Sequence, residues 1–216
     1  EAVRLRDPGS LLDHYSCWGG VPRYWELSAP FGPRWEDAAD DLVLSPLGAL
    51  HEEVERLLRQ EMPSAIPLRP ILDAIGLGAH RSSEIAGRLQ TSATSIAGPL
   101  RQLQDLGYVR REVPFGESEK RSKKSVYKLA DPFLRLWFRA VAPHRGALSG
   151  ASRAVRRKLL RNVRPQLRAE AWEDLCRQAV PRLGIKGRNF LTAGRSWASG
   201  GGEWDVVSTS LDGDIV

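Results

Sequence analysis

Apolar residues recur at helical spacing along most of this chain, and strand-like runs are confined to two short regions. Residues 7–27 open with a short helix around Ser10-Leu11-Leu12, which Gly19-Gly20-Val21-Pro22 must end, because glycine pairs and proline break helices. Pro22 then suits the first position of another helix, with Tyr24 and Leu27 one turn apart. Residues 45–61 predict a helix with Ser45 as cap, Pro46 in the first turn and an apolar stripe of Leu47, Leu50, Val54, Leu57 and Leu58.

Residues 66–129 hold the clearest pattern. Ile66 to Ile75 reads as a helix stopped by Gly76 and Gly78, and Ser82 or Ser83 caps a short one carrying Ile85, Ala86 and Leu89. Ile96, Leu100 and Leu103 keep helical spacing over residues 93–106, and Gly107 ends them. Val109, Glu112-Val113 and the run from Ser125 to Leu129 then predict two strands around a polar, lysine-rich loop. Three helices followed by a hairpin is the order of a winged helix-turn-helix. Gly98-Pro99 departs from it, since an interior proline should kink the third helix.

Asp131 and Pro132 open a helix that is apolar most of the way round and therefore buried. Residues 150–163 predict a basic helix, and Pro165 starts a longer one through Val180. From Gly184 the chain becomes glycine-rich and strand-like. Glu203 to Val207 reads as a strand, Asp212-Gly213 as a turn, and Ile215-Val216 as the opening of another strand. With no methionine at Glu1 either, the expectation is a piece of a longer protein.

Composition narrows this little. The 216 residues carry 27% charged and 42% hydrophobic positions, as ordinary folded proteins do. The net charge of +6, mostly from arginine, favours a polyanionic partner. Cys17 and Cys176 lie far apart and outside any zinc spacing, so they read as free thiols in a reducing cytoplasm. No stretch approaches the ~18 apolar residues that would cross a membrane. A GxxxxGK[ST] phosphate loop, a GxSxG elbow and an HExxH pair are all absent from the chain.

Three sets of residues could carry chemistry. If residues 93–106 form a recognition helix, a 100° step per residue puts Thr94, Gly98, Arg101, Gln102 and Asp105 on its outer face. Thr94, Arg101 and Gln102 could then reach base edges. Lys120, Arg121, Lys123, Lys124 and Lys128 on the hairpin would contact phosphates. A protein-interaction module with a solvated hairpin tip remains the other reading. The second set is the run Arg153, Arg156, Arg157, Lys158, Arg161, Arg164 and Arg168, which contains no acid. Five of these arginines recur every three or four residues, so their repulsion requires phosphate, an acidic partner or an acidic surface within the protein. The third set is Glu173 on a helix and Asp205 on a strand; a helix carboxylate and a strand carboxylate, followed by a further strand bearing an acid and a lysine, is how many magnesium-dependent nucleases hold their metal. Glu173 could equally pair with Arg177 at i,i+4, and Asp205 could stand on an open strand face.

Taken in order, these segments resemble one family, the archaeal-type P-loop ATPases of the AAA/STAND group that carry a C-terminal restriction-endonuclease-like domain. "WGGVPRYWEL" from Trp18 is similar to the helical lid. "LGYVRREVPFGESEKRSKKSVYKLADPFLRLWFRAVAP" from Leu106 is similar to the wing-to-helix signature, and "WEDLCRQAVP" and "GEWDVV" to the start of the nuclease-like domain. The resemblance implies a mainly α chain with a helical lid remnant over 1–62, a winged helix-turn-helix over 63–130, connecting helices over 131–165 and a truncated α/β restriction-endonuclease-like domain over 166–216. It places Gly20 and Pro22 near a nucleotide, and makes Glu173 and Asp205 metal carboxylates whose Glu-x-Lys strand would follow Val216. ATP and magnesium would belong to the parent protein, with an N-terminal ATPase domain and DNA as partners. The expected function is DNA binding without catalysis by this chain. A free-standing winged-helix transcription regulator and a protein-interaction module are the alternatives.

Overall fold

The computed structural model describes residues 7–61, 63–198 and 202–216. It is mainly helical, with two small antiparallel ladders. Helix α1 spans Pro8–Trp18, capped by Asp7, whose carboxylate accepts the Ser10 N–H at 2.6 Å. It ends where the sequence demands. Gly19 adopts φ +56°, and a Cβ there would lie 2.8 Å from Asp131 Oδ2 and 3.0 Å from Pro132 Cδ. The glycine thus lets the chain pass over the N-terminus of a helix more than a hundred residues away. Helix α2 spans Pro22–Ser28 and α3 Trp35–Ala39, the latter continued by a π turn over Asp40–Leu44.

The helix expected over residues 45–61 starts late. Ser45 follows the π turn and donates its N–H to Asp40 O at 2.8 Å, while Leu50 N bonds back to Leu42 O at 2.8 Å. This tight return requires Gly48, whose Cβ would otherwise meet Leu42 O at 2.4 Å. Leu47 is consequently 96% exposed rather than part of the apolar stripe. Helix α4 begins only at Glu53, runs to Arg56 and widens into a π turn over Leu57–Glu61.

Next come α5 (Arg69–Gly76), α6 (Ser82–Arg88) and α7 (Ala93–Asp105), then β1 (Val109–Glu112) and β2 (Val126–Leu129), paired in register from Val109 with Leu129 to Glu112 with Val126. Ile96, Leu100 and Leu103 turn inward as their spacing predicts. Pro99 does not interrupt α7. The preceding Gly98 has no Cβ to clash with the proline ring, and beyond its chain neighbours and its own helix backbone nothing lies within 4 Å of where one would stand.

Helix α8 (Pro132–Leu136) continues through a π turn over Trp137–Val141 and is buried as expected. Asp131 caps it, accepting Phe133 N at 2.8 Å. Trp137 donates its indole N–H to His51 O at 2.7 Å and meets Phe138 edge-on at 5.2 Å. One core joins Trp18, Leu44, Val54, Ile75, Leu103, Leu129 and Phe133.

After α9 (Arg145–Leu148), α10 runs without a break from Arg153 to Leu183. It contains Pro165, where two separate helices were expected. Pro165 leaves the Arg161 carbonyl without its helical donor, but both residues are exposed, so that end of the peptide is open to solvent. Ladder β3 (Gly194–Trp197) with β4 (Glu203–Val207) follows. Beyond it, Ser208 and Val216 exchange both backbone hydrogen bonds, at 2.8 and 2.9 Å, across a turn where Gly213 has φ +96°. The turn at Asp212-Gly213 and the returning arm are thus as the sequence predicts.

Candidate nucleic-acid interface and the ionic layer behind it

Helix α7 and the β1–β2 loop present the first candidate set. Thr94 and Arg101 are exposed, and Gln102 is half-buried, donating to Ser64 O at 3.4 Å. Lys120, Arg121 and Lys123 are exposed at the loop. Lys124 bonds Glu117 Oε1 at 2.7 Å, and this lysine with the Ser122 hydroxyl holds the Glu117 carboxyl below its usual range. Arg111 clamps the loop from inside by donating to the Glu119 carbonyl, to Ser122 O at 3.1 Å and to the Ser125 hydroxyl. Lys128 must be removed from the phosphate-contacting set. It is 9% exposed and faces inward, its Nζ 3.9 Å from Glu112.

The arginine run of α10 is neutralised within the protein. Arg156 grips Asp40 with two nitrogens, Nε at 2.6 Å and Nη2 at 3.2 Å, and Arg153 Nε adds a third contact at 3.1 Å. Arg157 and Arg153 both reach Asp37. About two turns further along, Arg164 forms a bidentate pair with Asp13 at 3.0 and 2.8 Å, joined by Arg168 at 2.9 Å. Asp40 is fully buried and Asp13 nearly so. The compensating charge therefore comes from α1, α3 and the π turn that continues it, and among the described residues Lys158 and Arg161 are the cations of the run without an acidic partner.

Glu173 and Asp205 face arginines rather than each other. Glu173 lies 3.6 Å from Arg177 on the same helix, and Asp205 lies 3.8 Å from Arg195. Arg177 links the two elements by donating to the Asp205 carbonyl at 2.9 Å. Among the described residues no group of three or more His, Cys, Asp or Glu side chains converges as a metal site would.

The carboxylate that does gather charge is Asp174. It meets Arg110 at 2.7 Å, Arg135 at 2.7 Å and Arg177 at 2.6 Å. Burial opposes its ionisation, but the guanidiniums of Arg110 and Arg135 outweigh it and hold the carboxyl far below the usual range. Glu112 is held down similarly against its burial by Arg110 at 2.8 Å, Lys128 and Arg195, and Glu170 by Arg139 at 2.8 Å and Arg135. This ionic layer fastens the β1–β2 hairpin, α8 and the β3–β4 ladder to one side of α10.

Gly20 and Pro22 are exposed between α1 and α2, and their neighbours Val21 and Tyr24 line a cleft of about 420 Å³ with Glu53, Asp131 and Phe133. Tyr24 donates to Glu53 Oε1 at 3.2 Å. Burial pushes both the Tyr24 hydroxyl and the Asp131 carboxyl upward.

The sequence reading missed Asp13, Asp37, Asp40 and Asp174. A signal for two of them was present: Asp37, Asp40 and Asp41 repeat the 3,1 spacing of Arg153, Arg156 and Arg157, so two helix faces carry matching charge ladders.

Comparison with known proteins shows a distant archaeal relative. The chain is 30% identical over 139 residues, 64% of its length, to an uncharacterized protein of the archaeon Methanocaldococcus jannaschii, and the match spans 30% of that protein. No family model matches the chain, and no solved structure does.

Proposed function

We propose that this chain binds DNA through a winged helix-turn-helix formed by α5, α6, α7 and the β1–β2 hairpin. The observation that carries this reading is the distribution of free charge. The strongest cationic run in the sequence, on α10, is consumed by internal carboxylates. Lys120, Arg121 and Lys123 instead stand exposed within four positions of one loop, and Arg101 is exposed on the helix that precedes the hairpin. Long cations on a hairpin suit phosphates, while Thr94 and Gln102 supply short polar side chains for a groove.

Within this reading the chain is the C-terminal part of a P-loop ATPase. An N-terminal domain would hold ATP and magnesium, and this chain would have no catalytic activity of its own. The archaeal protein that the chain resembles is longer than the matched stretch, which leaves room in that relative for a further domain.

Fluorescence anisotropy with a labelled duplex at about 50 and 200 mM salt tests the proposal. Four cations on four phosphates give a log–log slope of about −3.6 and roughly a hundredfold loss of affinity over that interval. Absence of binding at low salt would leave a protein-interaction module as the reading.

A further inference from the structure

A second cationic feature lies behind the hairpin. A cleft of about 480 Å³, within the range of small-ligand sites, separates β1 from the C-terminal half of α10 and is closed by residues 192–195. Five arginines line it, Arg110, Arg111, Arg177, Arg182 and Arg195, against three carboxylates.

Those carboxylates have little left to give. Asp174 already receives three guanidiniums, and Glu112 faces Arg110, Lys128 and Arg195 at 2.8, 3.9 and 3.3 Å. Glu119 is exposed at the rim. On the cationic side, three donors keep unused capacity. Among the described residues the guanidinium of Arg111 bonds neutral carbonyl and hydroxyl oxygens and no carboxylate. Arg182 is exposed, and no side-chain bond or ion pair engages it among the described residues. The Nη atoms of Arg195 face Glu112, Glu203 and Asp205, but its Nε–H is buried without an acceptor among the described residues. Leaving a buried N–H donor without an acceptor is costly, and a phosphate offers several acceptors to satisfy a guanidinium fork.

We propose that this cleft binds a phosphate-bearing anion through Arg111, Arg182 and Arg195. The site is independent of the hairpin tip, because it uses none of Lys120, Arg121 or Lys123. A free phosphate compound and the backbone of a single strand share this chemistry.

The experiment is a calorimetric titration of the full chain with inorganic phosphate and, separately, with a short single-stranded oligonucleotide lacking terminal phosphates. Each is repeated on Arg182→Glu and on Lys158→Glu. Lys158 is an exposed cation on the same helix outside the cleft, and thermal melting establishes that both variants fold, with Arg182→Gln as a milder substitute. The expected result is saturable binding that weakens about tenfold in Arg182→Glu, the worth of one charge-assisted contact, and stays unchanged in Lys158→Glu. Binding of phosphate assigns a small-anion site, and binding of the oligonucleotide alone assigns a strand backbone. No saturable binding of either probe, an unchanged affinity in Arg182→Glu, or an equal loss in both variants would overturn the proposal.

Discussion

Asp40→Asn tests whether the α10 arginines are internal fastenings or a ligand surface. Asp40 is fully buried and takes two bonds from Arg156, whose side chain is 15% exposed, and one from Arg153, which is 52% exposed. Breaking a buried pair by removing one partner costs about 3–5 kcal/mol, because the other charge stays behind without its counterion. Water reaches Arg153 and reduces its share, so the low end applies, about 3 kcal/mol. For a chain of this size that corresponds to a fall in Tm of roughly 6–12 °C. Urea denaturation followed by tryptophan fluorescence gives the free energy directly. Replacing both members, Asp40→Asn with Arg156→Met, should recover part of the loss, since the stranded charge is then gone. A loss below about 1 kcal/mol for the single variant, or a double variant no better than the single one, would refute the assignment of this pair as a buried fastening.

Lys123→Glu combined with Lys124→Glu should weaken duplex binding without unfolding the protein, because both side chains are exposed and only the surface pair of Lys124 with Glu117, worth about 0–1 kcal/mol, is lost; unchanged affinity in a gel-shift titration would remove the hairpin tip from the contact surface. Gly87→Ala, exposed on α6 with nothing near its missing Cβ, should raise stability by about 0.5–1 kcal/mol, whereas Gly98→Ala should not, since a Cβ before Pro99 meets the proline ring; equal gains in chemical denaturation would contradict this. Asp174, Glu112 and Glu170 titrate below their ordinary values in the folded chain, and His14 and His80 do so chiefly through burial. Each such group adds stability above its unfolded pKa and loses it as pH falls toward the folded one. The urea midpoint should therefore begin to fall below about pH 6.5 through the histidines and fall further below about pH 4.3 through the carboxylates. A midpoint that rises on acidification would reverse the sign. Burial pushes the Cys17 thiol up to about 12, so a disulfide reagent should modify Cys176 in the folded chain and reach Cys17 only after denaturation, as peptide mapping would show.

Local order was legible wherever the chain states its own boundaries. Gly19, Asp131, Gly107 and the Asp212-Gly213 turn each act through one steric or capping effect, and each sits where the pattern puts it. Position 47 misled because spacing cannot show that Gly48 folds the chain back on the end of α3. Prolines 99 and 165 misled because a proline's cost depends on its neighbours, on a glycine before it or on solvent access to the freed carbonyl. The cationic residues were read correctly as charges and incompletely as locations. Lys128 stands opposite Arg110 in the ladder, and its inward direction shows only in the fold, where it faces the diagonal carboxylate of Glu112. Long-range pairs such as Arg164 with Asp13 leave no trace in local periodicity, so the acidic half of the ionic layer had to come from the fold.

The thirty-one residues of α10 serve as a common spine. The leading half is riveted to α1 and α3, and the trailing half to the hairpins. Cutting the chain into its apparent modules would strand charges on every piece. A recombinant product covering only α5 to β2 would forfeit Asp174 and Arg195 and leave Arg110 and Lys128 with Glu112 alone. Protease digestion should accordingly nick loops while the fragments stay together, and solubility trials on shortened versions ought to keep residues 8 through 183 in one polypeptide.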